Sequence, residues 1–155
     1  MHAMGIFDFR DLSKRKKKEE QIVITCDANS IRINNSKIQF PTNYTALEDI
    51  LGKPNRIESV RNSKNKVYLW DDHGIYCSTA TPDNMLMLLL VEDNRYGLGH
   101  QPKNNFKGTV IIDGEPIIDS IQNVSGDRPY MIRSVIKDQN QVAIALGWNP
   151  DSKKS

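Results

Sequence analysis

The fold of this chain is decided around residues 67–78, which run Val67-Tyr68-Leu69-Trp70-Asp71-Asp72-His73-Gly74-Ile75-Tyr76-Cys77-Ser78. The first four residues are apolar. Because successive side chains of a strand point to opposite faces, both faces of this strand would be buried. The two aspartates and the glycine that follow are typical turn residues. We therefore predict a central strand over 67–70, a polar turn, and a second strand over 75–79.

Short apolar segments separated by turn residues continue on both sides of this hairpin. Further strands are predicted over residues 21–26, 31–33, 38–40, 57–60, 85–91, 109–112, 116–118, 131–137 and 142–146. The run 85–91 would also suit one side of a buried helix, but its length favours a strand. Turn chemistry predicts hairpins at Asn34-Asn35-Ser36, Asp113-Gly114 and Asp138-Gln139-Asn140.

One short helix of about two turns is predicted after residue 44. Thr45 and Glu48 have the spacing of a capping box, and Gly52 followed by Pro54 would end the helix. Its apolar stripe consists of Leu47, Ile50 and Leu51. A helix this short is marginal alone, so we expect it to pack on a sheet.

The length of the chain, 155 residues, suits one compact domain with a single core. We predict an α+β domain over residues 21–150, dominated by an antiparallel β-sheet with one short helix packed on it. Residues 1–20 are predicted to form a basic, flexible N-terminal arm, and residues 1–3 resemble a cloning scar. Residues 151–155 are predicted to be a polar tail.

The positive charge of the chain is concentrated in the arm. Residues 1–20 hold six basic and four acidic side chains, which leaves 15 of each sign from the 21 and 19 of the whole chain. Residues 21–155 are therefore neutral overall. Nucleic-acid binders usually present a basic face that contacts phosphates, so we expect no nucleic-acid partner.

The arm combines an apolar segment with a basic run. Ile6, Phe7, Phe9 and Leu12 precede Lys14-Arg15-Lys16-Lys17-Lys18. The segment would suit either contact with anionic lipid or a partner, or a solubilising and frayed arm, and we favour the second. Any membrane contact would be confined to Gly5–Lys18.

Cysteine usage and the lack of a secretory signal favour a cytoplasmic, reduced protein. Cys26 and Cys77 both lie in predicted strands, where two buried thiols are expected rather than a disulfide. The longest apolar run, 85–91, is far shorter than the ~20 residues needed to span a bilayer.

Catalytic chemistry finds little support in the sequence. Asp71 and His73 would share a face of a strand and, with His100, would offer three ligands to a divalent metal for a metal-assisted hydrolase. Their spacing matches no known metal motif, and an acidic turn explains the same residues. We therefore expect no metal, no cofactor and no catalytic residue.

Aromatic and methionine side chains divide between core and surface. The apolar neighbours of Trp70 predict a core position, whereas Tyr96 and Tyr130 are predicted to be surface aromatics. Met85 and Met87 would suit a methionine-rich binding groove, but plain core is the favoured interpretation.

Several motifs, in order along the chain, resemble those of a family of small, uncharacterised bacterial cytoplasmic proteins found near polymorphic-toxin and type VI secretion genes. They are Phe40-Pro41 before the helix, Leu51-Gly52-Lys53-Pro54, Tyr68 to Ile75, Phe106-Lys107-Gly108, and Val110 to Gly114, and they cover about residues 21–118. The resemblance implies a non-enzymatic role, namely an immunity protein that binds and blocks a cognate toxin. It implies no catalytic residues.

The long segment 92–107 has no apolar pattern and is predicted to be a functional loop. Its part from Arg95 to Asn105, together with the acidic corner at 71–73, forms the candidate protein-binding face. The candidate residues are Asp71, Asp72, His73, Arg95, Tyr96, His100 and Asn104.

Overall fold

The computed structural model describes residues 21–81, 84–96, 99–117, 123–124 and 126–149. The strands are β1 (Val23–Cys26), β2 (Ile31–Ile33), β3 (Ser36–Ile38), β4 (Thr42–Asn43), β5 (Arg56–Ser59), β6 (Lys66–Trp70), β7 (Ile75–Thr81), β8 (Asn84–Val91), β9 (Thr109–Ile112), β10 (Glu115–Pro116), β11 (Asn123–Val124), β12 (Tyr130–Lys137) and β13 (Asn140–Trp148). A helix, α1 (Thr45–Leu51), and a 3₁₀ turn (Asn94–Tyr96) complete these elements.

The predicted α+β class, mainly antiparallel sheet with a short helix, is confirmed. The predicted N-terminal arm, cloning scar and polar tail lie outside the described residues.

The strands form two sheets. The larger sheet has the order β11-β12-β13-β8-β7-β6-β5, with antiparallel neighbours throughout, and β4 also pairs with β8. The smaller sheet has the order β10-β9-β1-β2-β3, in which β1 and β9 run parallel. Turn signals report only pairs that are adjacent in sequence, so they did not predict this parallel pair. In the described part of the chain, no helix has the length and apolar character needed to cross a membrane.

The central strand has the predicted two-sided burial. Tyr68 and Trp70 belong to a core shared by the two sheets and α1, which we call the inner core. Val67 and Leu69 belong to a second apolar cluster on the opposite, outer face of the larger sheet. Cys77 is a buried free thiol on the inner side, and burial raises its pKa to about 12. The same holds for Cys26 on β1, so both cysteine predictions are confirmed.

The predicted capping box at the start of α1 is wrong. The residue that caps the helix is Tyr44, whose side chain makes no capping hydrogen bond. The amide of Thr45 donates instead to Asn43 Oδ1 at 3.1 Å, and the amide of Glu48 donates to the carbonyl oxygen of Tyr44 at 3.2 Å. Asn43 therefore supplies the capping hydrogen bond that was expected from Thr45, because the helix begins in a turn that follows β4.

The end of α1 matches the prediction and is tied to the core. Gly52 adopts a φ of +83°, a conformation that glycine allows without strain. The indole Nε1 of Trp70 donates to the carbonyl oxygen of Gly52 at 2.7 Å. Tyr44 stacks on Tyr68 with ring centroids 3.9 Å apart. The core position predicted for Trp70 is confirmed at 1% exposure.

Three predicted hairpin turns are confirmed. Each has positive φ at two consecutive residues, as a two-residue type I′ turn requires: Asn34 and Asn35, Asp113 and Gly114, and Asp138 and Gln139. The first and third loops are each one residue shorter than predicted, since Ser36 already begins β3 and Asn140 already begins β13.

The surface position predicted for Tyr130 is wrong. Its side chain is 2% exposed because it begins β12 on the inner face, and its hydroxyl donates to the carbonyl oxygen of Asp27. Arg128 donates to Asp113 Oδ2 at 2.6 Å beside it. Tyr130 therefore ties the two sheets together.

Candidate functional site

Asp71, at the end of β6, is a buried anchor. Its side chain accepts two hydrogen bonds from the guanidinium of Arg56, at 2.9 Å from Nε and 3.0 Å from Nη2. The backbone amide of Lys103 donates to the same carboxylate at 3.0 Å. These donors, Arg56 foremost, lower the pKa of Asp71. Because Asp71 is only 3% exposed, its carboxylate serves the fold and offers no surface to a partner.

The same anchor holds the long loop to the end of the sheet. The amide of Asn104 donates to the carbonyl oxygen of Asp71 at 3.0 Å. Arg56 Nη2 also donates to the carbonyl oxygen of Gln101 at 2.9 Å. The loop is thus attached to β5 and β6 through the Arg56–Asp71 pair and these backbone contacts, and two candidate regions distant in sequence lie side by side.

Asn94 braces the loop from within. Its side-chain amide donates to the carbonyl oxygens of Pro102 and Lys103 at 3.1 and 3.0 Å. Its backbone amide donates to Asn105 Oδ1 at 2.7 Å. A loop held by this many polar contacts can present side chains in a fixed arrangement.

A glycine lets the loop pass close to the turn after β6. Gly74 has a φ of +69°, and a Cβ at this position would lie 2.2 Å from the backbone nitrogen of Phe106. The amide of Phe106 donates to the carbonyl oxygen of Val91 at 2.6 Å, and the amide of Val91 donates to the carbonyl oxygen of Gly74 at 2.8 Å. Only a residue without a side chain fits there.

The predicted metal ligands are not brought together as a site. Asp71 pairs with Arg56, while His100 Nδ1 lies 2.7 Å from Glu58 Oε1 and its ring lies against Tyr76. The expectation that Asp71 and His73 share a strand face is wrong, because residues 71–74 form a turn. Among the described residues, no group of three or more His, Cys, Asp or Glu side chains could hold a metal ion.

The exposed candidates surround an open, mainly polar cleft of about 820 Å³. Asp72, His73 and Asn104 line it, together with Lys103 and Lys107. Asp72 and Asn104 are exposed and His73 is half-buried. The cleft therefore offers both charge signs and both donors and acceptors.

Arg95 and Tyr96 lie on the 3₁₀ turn next to this cleft. The Arg95 side chain is 77% exposed and pairs with Asp93 at 2.7 Å. Tyr96 is half-buried, and its hydroxyl donates to Asp138 Oδ2 at 3.3 Å. Arg95 is thus a well-exposed cation beside the cleft.

Sequence reasoning missed Arg56, Lys103 and Lys107. Arg56 meets Asp71 only because β5 and β6 pair in a register that sets Arg56 opposite Leu69. No motif in the sequence predicts that register. The two lysines lay within the predicted loop, but only the folded loop shows that they face the cleft.

Comparison with known protein families identifies the family of this chain. Residues 23–127 match the model of a family described as a domain of unknown function, DUF7738. The chain belongs to the DUF7738 family. The match spans the candidate corner, the loop and the inner-core strands of both sheets up to residue 127.

No curated protein matches this DUF7738 chain. A cysteine-rich secretory protein of Staphylococcus aureus is similar in structure at 11% sequence identity and a TM-score of 0.39. The aligned region covers 74% of the DUF7738 chain and 50% of the secretory protein.

Proposed function

We propose that this DUF7738 protein is a non-enzymatic binding domain that captures a cognate toxin or effector protein and neutralises it, as an immunity protein does. One observation carries the proposal. A loop fixed to the sheet by the pairing of Arg56 with the buried Asp71 presents exposed polar side chains around an open cleft. Rigid presentation lowers the entropy cost of binding, because little ordering remains to be done on association.

The composition of the cleft favours a protein surface as the partner. Asp72 supplies a negative charge, Lys103 and Lys107 supply positive ones, and Asn104 and Asn105 supply amides. Such mixed polar groups match the hydrogen-bonding groups and bridging waters of protein interfaces. Because residues 21–155 carry 15 charges of each sign, the partner is expected to have mixed charge rather than the strongly basic surface of a nuclease.

The resemblance to proteins encoded near toxin genes supports the same proposal and names the kind of partner. The test is capture of the partner from cells that express the neighbouring open reading frames, followed by isothermal titration and a toxicity assay. We expect one partner, bound at nanomolar strength, whose toxicity this protein abolishes. A captured protein that remains toxic in the complex would contradict the immunity role.

Two substitutions locate the binding face. Asp72→Lys and Tyr96→Ala should each weaken binding by about tenfold or more, which corresponds to ~1.4 kcal/mol. Lys64→Glu is the matched control, since Lys64 is exposed in the turn that precedes β6, at the opposite end of that strand from Asp72. Unchanged affinity in both test variants, with each protein folded, would place the interface elsewhere.

A further inference from the structure

The strand β5 forms one edge of the larger sheet. The strand order ends there, and among the described residues β5 pairs with β6 alone. Ile57, near the middle of β5, is 55% exposed although it is a large apolar side chain. An edge strand with an exposed apolar residue is a template for pairing with another strand.

The hydrogen-bond pattern shows which main-chain groups of this edge face outwards. The amide of Val60 donates to the carbonyl oxygen of Asn65 at 3.2 Å, and these two residues lie opposite each other in the β5–β6 register. Bonded and non-bonded pairs alternate along an antiparallel ladder, so the N–H and C=O groups of Ile57 and Ser59 point away from β6. They face the position that a further strand would take.

The side chains of β5 divide between the two faces of the sheet. Arg56 and Glu58 lie on the outer face, because they are opposite members of the apolar cluster there. Their side chains are 36% and 34% exposed and form an ion pair at 2.7 Å. Ile57 lies on the other face, opposite Tyr68 of the inner core.

The order of these charges makes β5 complementary to an antiparallel copy of itself. With a two-fold axis at Ile57, Arg56 of each copy lies opposite Glu58 of the other. Because Arg56 also contacts Glu58 of its own chain, the four charges alternate in sign. An axis at Arg56 or at Glu58 would instead place two like charges opposite each other, which is unfavourable. The charges therefore select one register.

The same register satisfies the backbone and covers the exposed side chain. Ile57 and Ile57 of the second copy form a bonded pair, which exchanges two N–H to O=C hydrogen bonds. Their side chains meet on the face that carries Tyr68 and are removed from water. Charged residues usually protect an edge strand from pairing, but here an antiparallel copy offers each charge its opposite.

We propose that β5 pairs with β5 of a second copy of this chain across a two-fold axis at Ile57, so that the two larger sheets join into one. A strand of four residues buries far less than the ~1,200 Å² of a stable interface, so the dissociation constant is expected to lie above about 10 µM. No described residue that lines the cleft belongs to β5, and the inference does not rest on the proposed function.

Sedimentation velocity of the full chain tests the association. Between about 10 µM and 1 mM the average mass should rise from one chain towards two. Ile57→Lys should remain a monomer, because it removes the apolar contact and sets two like charges opposite each other. Ile136→Lys is the matched control and should dimerise normally. Ile136 is also exposed, at 48%, but lies on β12 near the other end of the sheet.

Cysteine cross-linking tests the register. The Cα atoms of a bonded antiparallel pair are about 5.5 Å apart, which a disulfide can bridge. Ile57→Cys should therefore cross-link to its copy under mild oxidation with diamide. Ser59→Cys is the matched control on the same strand and should stay a monomer, since the two cysteines would be ~13 Å apart. The native Cys26 and Cys77 are buried and should not take part.

These outcomes decide the proposal. A natural chain that stays monomeric up to about 1 mM would overturn it. So would an Ile57→Lys variant that dimerises like the natural chain, or equal cross-linking of the two cysteine variants. Urea unfolding should show that Ile57→Lys is folded, and if it is not, the cross-linking of Ile57→Cys against Ser59→Cys decides.

Discussion

Replacing Asp71 by asparagine should release the long loop from the end of the larger sheet. Asparagine has nearly the same shape, so packing is kept, but the negative charge that Arg56 contacts at two points is lost. One carboxylate oxygen that accepts the amide of Lys103 would also be replaced or turned away. The loop would then depend on its remaining contacts, which are those through Asn94 and Phe106, the bond from the Asn104 amide to the backbone carbonyl of residue 71, and the contact of His100 with Glu58.

The expected cost follows from the burial of the two partners. Breaking a fully buried ion pair by removing one partner costs about 3–5 kcal/mol, because the other charge stays buried and unpaired. Here Asp71 is buried but the Arg56 side chain is 36% exposed, so water can solvate the orphaned guanidinium. We therefore expect a loss of about 2–3 kcal/mol in the free energy of unfolding.

Urea unfolding at pH 7, followed by intrinsic fluorescence, measures this loss, and Asp72→Asn is the matched control. Asp72 is exposed and adjacent, so its substitution should change stability by less than ~0.5 kcal/mol. Amide exchange of Lys103 and Asn104 should accelerate in the Asp71 variant alone. Equal stability of the two variants would refute the assignment of Asp71 as the anchor.

Acid should have the same effect as the substitution. The pKa of Asp71 is lowered in the folded protein, chiefly by Arg56, so its contribution is fully present above its unfolded pKa of about 3.9. That contribution is lost as the pH falls through the folded value. The stability difference between wild type and Asp71→Asn should therefore shrink below about pH 4. A difference that stays constant down to pH 2 would contradict this linkage.

Three other experiments test the fold. Trp70→Phe removes the hydrogen bond to the carbonyl oxygen of Gly52 and should cost about 1–2 kcal/mol in urea unfolding, whereas no loss would show that the bond contributes nothing. Gly74→Ala should lower the free energy of unfolding by more than about 3 kcal/mol, because its Cβ would lie 2.2 Å from the loop backbone. Gly52→Ala has open space around the new Cβ and should cost only about 1 kcal/mol, from backbone strain. Cys26 and Cys77 should react with a thiol reagent only as fast as the protein opens, and rapid labelling of either in the native protein would contradict their burial.

The sequence predicted the strands well where their signal was local. Continuous apolar residues on β6 and β8 predicted burial on both faces. Both strands indeed contribute side chains to the inner core and to the apolar cluster on the outer face. Paired residues tolerant of positive φ, such as Asn34 and Asn35, located the hairpins. These features depend on neighbours in sequence, which pattern analysis can detect.

Features that depend on tertiary pairing escaped prediction. The parallel β1–β9 pair joins segments more than 80 residues apart, and the Arg56–Asp71 pair depends on strand register. Tyr130 is buried because β12 turns that side chain inwards, and the sequence alone did not show to which face it points. The candidate corner and loop were predicted to form one face, but the cleft between them and its two lysines became visible only in the folded chain.

The most direct test of the proposed binding face is amide hydrogen exchange of the protein alone and in complex with its captured partner. The account predicts that protection on binding falls at residues 72–73 and 94–105, around the cleft. The turn at residues 61–64, at the far end of β6, should exchange equally in both states. Protection centred on that far turn, or none around the cleft, would contradict the proposed face.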